Sequence, residues 1–293
     1  MNALRQALCG LAGALLAHTA LAGTPIDETR PMAMDGLVQV ENLAGFIVIT
    51  AWDQAEVHVG GELGDDVEEL QIIESTSGVQ VRVRNRSNRR NVDESRLRLN
   101  IPRTASLEAE SVSADISVKG MDSPSLVLNS VSGDLTVEAS SQRLEIESVS
   151  GDVRFQGQTQ RASVETVSGE IAMTGVEGEI TVSTVSGDVE LRGQKVERAR
   201  FESVSGDLEL KLDVTDGGRL SADNMSGDVE LVLPKDQQAD FSAQTHSGDI
   251  SSDFGGVTKS SHGPQKRFSH KVGNNGASIT IESFSGDIDI THP

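Results

Sequence analysis

Residues Leu144-Glu145-Ile146-Glu147-Ser148-Val149-Ser150-Gly151-Asp152-Val153-Arg154-Phe155 set the pattern for most of the chain. The Ser-Gly-Asp at their centre returns at Ser132-Gly133-Asp134, Ser186-Gly187-Asp188, Ser205-Gly206-Asp207, Ser226-Gly227-Asp228, Ser247-Gly248-Asp249 and Ser285-Gly286-Asp287. Ser113-Ala114-Asp115 and Ser168-Gly169-Glu170 are near copies. From serine to serine the steps are 19, 18, 18, 18, 19, 21, 21 and 38 residues. A recurring period of this length is the signature of a repeat architecture.

Aligned on the motif serine, the positions six and four residues before it are apolar in every copy, as in Leu144 and Ile146 or Ala199 and Phe201. Three and five residues after it stand pairs such as Val153 and Phe155, or Leu208 and Leu210. Alternation with period two on both sides of a glycine reads as strand, turn, strand with one buried face. A string of antiparallel hairpins would also place turns between short strands. Identical residues at a constant offset, however, are what winding produces, with each residue over its counterpart at about 4.8 Å. The pattern predicts an all-β, parallel β-solenoid (β-helix-like) with coils of about 18–21 residues, stacked one on the next.

Outward from the repeat, Met1–Ala22 carries one base, Arg5, an apolar run over 7–17, and Ala20-Leu21-Ala22 before Gly23. That is the form of a secretory signal peptide, and it predicts a chain exported to the periplasm or beyond, in the cell envelope. Cys9 lies inside it, so the remainder has no thiol, disulfide or zinc-cysteine chemistry. Cutting after Ala22 removes one of 25 bases and none of 45 acids, leaving 24 against 45, or −21. Such an acidic chain is a poor partner for nucleic acid, and no later stretch is apolar enough to span a membrane as a helix. Residues 23–105 are strand-like but off the period and read as an N-terminal β cap continuous with the stack. Residues 106–293 are the repeats.

Two basic clusters stand out. Residues 82–90 hold Arg82, Arg84, Arg86, Arg89 and Arg90, and the long last step holds a loop over 255–276 with Lys259, His262, Lys266, Arg267, His270 and Lys271. Both read first as solvated charge, the second as a loop across the end of the stack; Arg86, Arg89, Arg90, Lys266 and Arg267 are candidate partner contacts.

The motif writes chemistry into files. Gly133, Gly151, Gly169, Gly187, Gly206, Gly227, Gly248 and Gly286 form the turns. The next residue is an acid in every copy, so stacked neighbours about 5 Å apart would repel by roughly 0.8 kcal/mol in water and about 3 at an effective dielectric of 20. The acids therefore cannot all be ionised, dry and unpaired. Either the carboxylates and serine hydroxyls bond nearby backbone while staying wet, or Ca²⁺ sits between coils on Asp134, Asp152, Asp188, Asp207 and Asp228, or some of the acids are protonated. Two residues before the serine run Ser111, Ser130, Ser148, Thr166, Thr184, Ser203, Asn224, Thr245 and Ser283, a candidate hydrogen-bonded ladder. The file between, from Val112 and Val131 to Met225 and Phe284, is apolar except for His246.

The lead-in, the segment Leu97-Arg98-Leu99-Asn100-Ile101-Pro102 and the iterated Ser-Val-Ser-Gly-Asp together resemble a bacterial family of β-strand-repeat proteins of unassigned function that bear the label of adhesins. The resemblance implies an exported β-solenoid and carries no catalytic signature. The residues agree. The acids are evenly spread, tyrosine is absent, and the one tryptophan, Trp52, lies in the cap, whereas sugar-active clefts gather aromatics and paired carboxylates. The expectation is a non-enzymatic envelope scaffold or binding protein offering a rigid acidic surface to a protein or glycan partner. Its alternatives are a Ca²⁺-stabilised surface adhesin and a polysaccharide-active β-helix enzyme.

Overall fold

The computed structural model describes residues 23–86, 93–260, 265–274 and 276–293. Met1–Ala22, Arg89, Arg90 and His262 lie outside them. The strands are β1 (Thr24–Pro31), β2 (Leu37–Trp52), β3 (Glu56–Leu63), β4 (Val67–Glu74), β5 (Gly78–Asn85), β6 (Ser95–Pro102) and β7 (Ser106–Ser130). Then come β8 (Leu135–Ser150), β9 (Val153–Ser168), β10 (Ile171–Ser186), β11 (Val189–Ser205), β12 (Leu208–Ser226) and β13 (Val229–Val232). The chain closes with β14 (Ala239–Ser247), β15 (Ile250–Ser252), β16 (Lys259–Ser260), β17 (Lys266–Val272), β18 (Ala277–Ser285) and β19 (Ile288–Thr291). All belong to one sheet, and no helix occurs among the described residues.

From β7 to β12 each strand pairs in parallel with the next in the chain. The register lays like on like, with Leu144 beside Ala162, Ile146 beside Val164 and Ser150 beside Ser168. These strands are long because each makes two straight runs around a corner. In β8 and β9 the in-out alternation skips a beat at Gln142-Arg143 and Gln160-Arg161, where two exposed residues follow one another. Leu135, Val137, Leu144 and Ile146 are fully buried, and so are their counterparts in neighbouring coils, so the aliphatic files fill the interior.

The chain order and the stacking order part company at the C-terminal end. Coils were expected to follow one another, yet β18 lies between β12 and β14, and β19 lies between β13 and β15. Chemically any coil fits over any other, since each offers the same glycine, aspartate and aliphatic files. The path is set by connections. Residues 233–238 step past one level on the way from β13 to β14, and β18 fills it, with Gly276 just before β18 so close that a Cβ on it would lie 2.1 Å from the Gln238 carbonyl oxygen.

Both ends are closed by antiparallel strands, which blunt edges that would otherwise recruit another chain. The basic segment of 255–276 supplies β17, antiparallel to β14, with β16 outside it. At the other end β2 pairs with β7 on one side and with β5 and β6 on the other, while β4 and β3 run antiparallel to those two. The region 23–105 is thus hydrogen-bonded to the repeats as part of the same sheet.

Candidate functional site

The motif turn comes first because it builds the corner beside which the site lies. Gly151, Gly169, Gly187, Gly206, Gly227, Gly248 and Gly286 have φ between +121° and +152°. A Cβ on Gly187 would sit 2.1 Å from the carbonyl oxygen of Gly169, so close approach of the coils as well as backbone sign demands glycine.

The motif acid does a specific job in most copies. Oδ1 of Asp115 accepts the backbone N–H of Asp134 (3.0 Å), Asp134 that of Asp152 (2.9 Å), and Asp152 that of Glu170 (3.1 Å). The ladder resumes from Asp188 to Asp207, Asp207 to Asp228, Asp228 to Asp287 and Asp287 to Asp249, at 2.8–2.9 Å. The bond from the Glu170 N–H, with help from Arg154, holds the Asp152 carboxyl below its ordinary pKa. Thus Asp134, Asp152, Asp188, Asp207 and Asp228 each spend one oxygen on the next coil's backbone. Among the described residues no three His, Cys, Asp or Glu side chains gather as a metal site would require.

One rung is missing. Glu170, a methylene longer than aspartate, makes no such bond to the N–H of Asp188. Glu170→Asp is expected to complete the ladder and raise stability by about 1 kcal/mol, or roughly 2 °C in Tm, whereas Glu170→Gln should not. Thermal unfolding followed by circular dichroism checks this; equal melting of the two variants would refute the rung.

Just before each turn the surface is concave. The floor is the hydroxyl and amide file, from Ser111, Ser130 and Ser148 through Thr184 and Ser203 to Asn224 and Ser283. One wall is the file Val131, Val149, Val167, Val185, Val204, Met225 and Phe284, with His246 stacked on Phe284 at 5.0 Å. Far from being covered, Val131 to Val204 are 45–49% exposed and Met225 and Phe284 58% and 59%. The opposite wall is mostly acidic: Glu110, Glu147, Glu165, Glu202, Asp223 and Glu282, interrupted by Asn129, Ser183 and Gln244. Together they enclose about 1200 Å³. With eight coil spacings of about 4.8 Å, the groove runs roughly 38 Å along the stack.

The floor is only partly a ladder. Thr166 donates to Thr184 at 3.1 Å, Asn224 Nδ2 donates to the Gly206 and Gly227 carbonyls, and Thr245 donates to that of Gly286. Ser203 Oγ, Asn224 Oδ1, Ser283 Oγ and, beside the floor, Asn129 Oδ1 are buried with no hydrogen-bond partner among the described residues. Position parity could have found the walls. Residues six, four and two before the serine point inward, so those three and one before it must point out.

Among the described basic candidates none lines the groove, although Arg267 lies across the β14–β17 pairing from Gln244 at the groove's C-terminal end. Arg86 is exposed at the N-terminal end, where its N–H bonds the Asp66 carbonyl at 3.0 Å, and Arg82 is held by Glu41, which raises its pKa. Lys266 and Arg267 are on β17 at the far end, with Lys266 paired to Asp249 and Arg267 exposed.

A model of the family described as Toastrack DUF4097 matches residues 40–216 and again 202–291. The chain belongs to that family. Solved structures similar to this Toastrack chain include a "putative adhesin" of Bacteroides fragilis, 12% identical over 91% of this chain and 96% of the other, with a TM-score of 0.45. A "putative lipid binding protein" of Parabacteroides distasonis is 12% identical over 92% and 97%, with a TM-score of 0.40. A "putative cell adhesion protein" of Clostridium sporogenes is 11% identical over 92% and 100%, with a TM-score of 0.26. No curated protein matches this Toastrack chain.

Proposed function

We propose that this protein is a non-enzymatic binding scaffold of the bacterial cell envelope, an acidic β-solenoid of 18–21-residue coils that holds a protein or glycan partner along its groove. The observation that carries the reading is the apolar file, each member about half exposed and unbroken from Val112 to Phe284 in stacking order. A contiguous exposed apolar strip of that length is what soluble surfaces normally avoid unless something binds there. Catalysis calls for unlike groups converging on one point. This groove instead repeats the same three kinds of side chain level after level, which suits gripping length over transforming a bond. Placement in the envelope is supported by the basic, apolar and small-residue sequence of Met1–Ala22 and by the lack of cysteine beyond it.

The test compares the protein with a Val149→Asp/Val167→Asp double variant. Both side chains are exposed, so the fold should survive the change, as circular dichroism would verify. Immobilised on beads and exposed to solubilised envelope extract, the wild type is expected to retain a component that the variant loses, identified by mass spectrometry. The same components on both would sink the groove reading.

A further inference from the structure

Resting on that reading, we infer that the groove's occupant is a cationic amphipathic peptide segment, with apolar side chains against the valine file and lysine or arginine side chains along the acid wall. Two features of the groove, each belonging to a different file, select this chemistry. First, the valine, methionine and phenylalanine wall is aliphatic over most of its length. It offers methyl groups to apolar side chains, and only Phe284 and His246 at one end could stack on a sugar ring.

Second, the facing wall carries six carboxylates. Among the described residues only Glu202 of the six forms a salt bridge, with Arg200. Glu110, Glu147, Glu165 and Glu282 stand exposed beside the apolar wall. An acyl chain would gain nothing from such a wall, and an anionic headgroup or a second acidic copy of this chain would be repelled by it.

The length is compatible with a peptide. Roughly 38 Å accommodates about 25 residues as a helix or about 11 extended. A helix would bring a side chain to the wall every 5.4 Å of its axis, close to the coil spacing of about 4.8 Å, so several consecutive turns can stay in step with the valines.

The probe is a fluorescein-labelled synthetic 20-residue peptide of lysine and leucine at helical spacing, titrated with purified protein by fluorescence anisotropy. A peptide of identical composition with its leucines and lysines unsegregated, and one with glutamate for every lysine, serve as comparisons. The segregated cationic peptide is expected to bind at least about tenfold more tightly than the unsegregated one, and the glutamate peptide not at all. Val149→Asp with Val167→Asp should weaken binding at least about tenfold, and Glu147→Gln with Glu165→Gln by about threefold, more at low salt than at high. Val257→Asp, exposed outside the groove, should leave it unchanged.

Equal binding of the two cationic peptides, or indifference to the valine changes, would show mere attraction to an acidic protein and overturn the proposal. If no peptide binds while the beads still retain an envelope component that the double variant loses, the peptide chemistry falls and the groove's binding role stands. If neither occurs, both fall.

Discussion

Alanine at Gly187 is expected to destabilise the fold by about 3–5 kcal/mol, the largest effect of any single-methyl addition proposed for this chain. Two penalties add. The backbone there has φ +145°, which a side chain rarely adopts, and the new methyl would lie 2.1 Å from the carbonyl oxygen and 2.9 Å from the carbonyl carbon of Gly169. Both are backbone atoms fixed by their own coil, so the clash is relieved only by prising two coils apart. Gly206 rests on Gly187 in the same manner, with its notional Cβ 2.3 Å from that residue's oxygen, so the opening would propagate. Gly217 provides the control, for it too has positive φ (+73°) but nothing within 4 Å of its notional Cβ. Gly217→Ala should cost about 1 kcal/mol, the backbone part alone. Urea denaturation followed by circular dichroism measures both; similar losses at the two sites would show that coil contact is not what reserves Gly187 for glycine.

Deletion of residues 273–293 should do more damage than loss of an end coil. In a stack laid down in chain order, removing the final coil would bare one interface and leave the rest intact. Here β18 and β19 sit between β12/β13 and β14/β15, so the deletion opens a slot inside the stack and strands β14, β15 and β17 beyond it. Ile279, Ile281, Ile288 and Ile290 are all buried; at about 2 kcal/mol each, their removal alone withdraws roughly 8 kcal/mol. The expected result is that residues 229–272 become susceptible to limited proteolysis while β7–β11 stay protected, and that a synthetic peptide of residues 277–293 added in trans restores protection. A truncated chain whose 229–272 segment resists protease as the full chain does would contradict the interleaved order.

The contrast between these two predictions locates what the residues alone can reveal. Gly187 announces itself, because a glycine repeated at fixed offset between apolar alternations has few physical explanations. Leu144 and Ile146 are equally plain, since period two fixes which side faces in. The ladder from Asp134 to Asp152 was legible as one of three resolutions for a file of acids, and its bond to backbone is present. The place of Gly286 between Gly227 and Gly248 was not legible. Identical files make every coil a suitable neighbour for every other, and the choice is made by the reach of connections such as residues 233–238, which carry no repeat. The valine wall lay within reach of parity reasoning, but the unmet atoms of Asn129, Ser203 and Asn224 depend on how sharply the corner bends.

The interleaved C-terminal coil makes completion of the molecule conditional. A chain synthesised from its N-terminus can wind β7 to β12 as each coil appears, yet the level above them stays vacant until residues 277–291 have been made and threaded in. That coil is a keystone: a prematurely terminated product is left with an open apolar gap that proteases and chaperones can recognise, and only a chain translated through this segment closes into a durable rod.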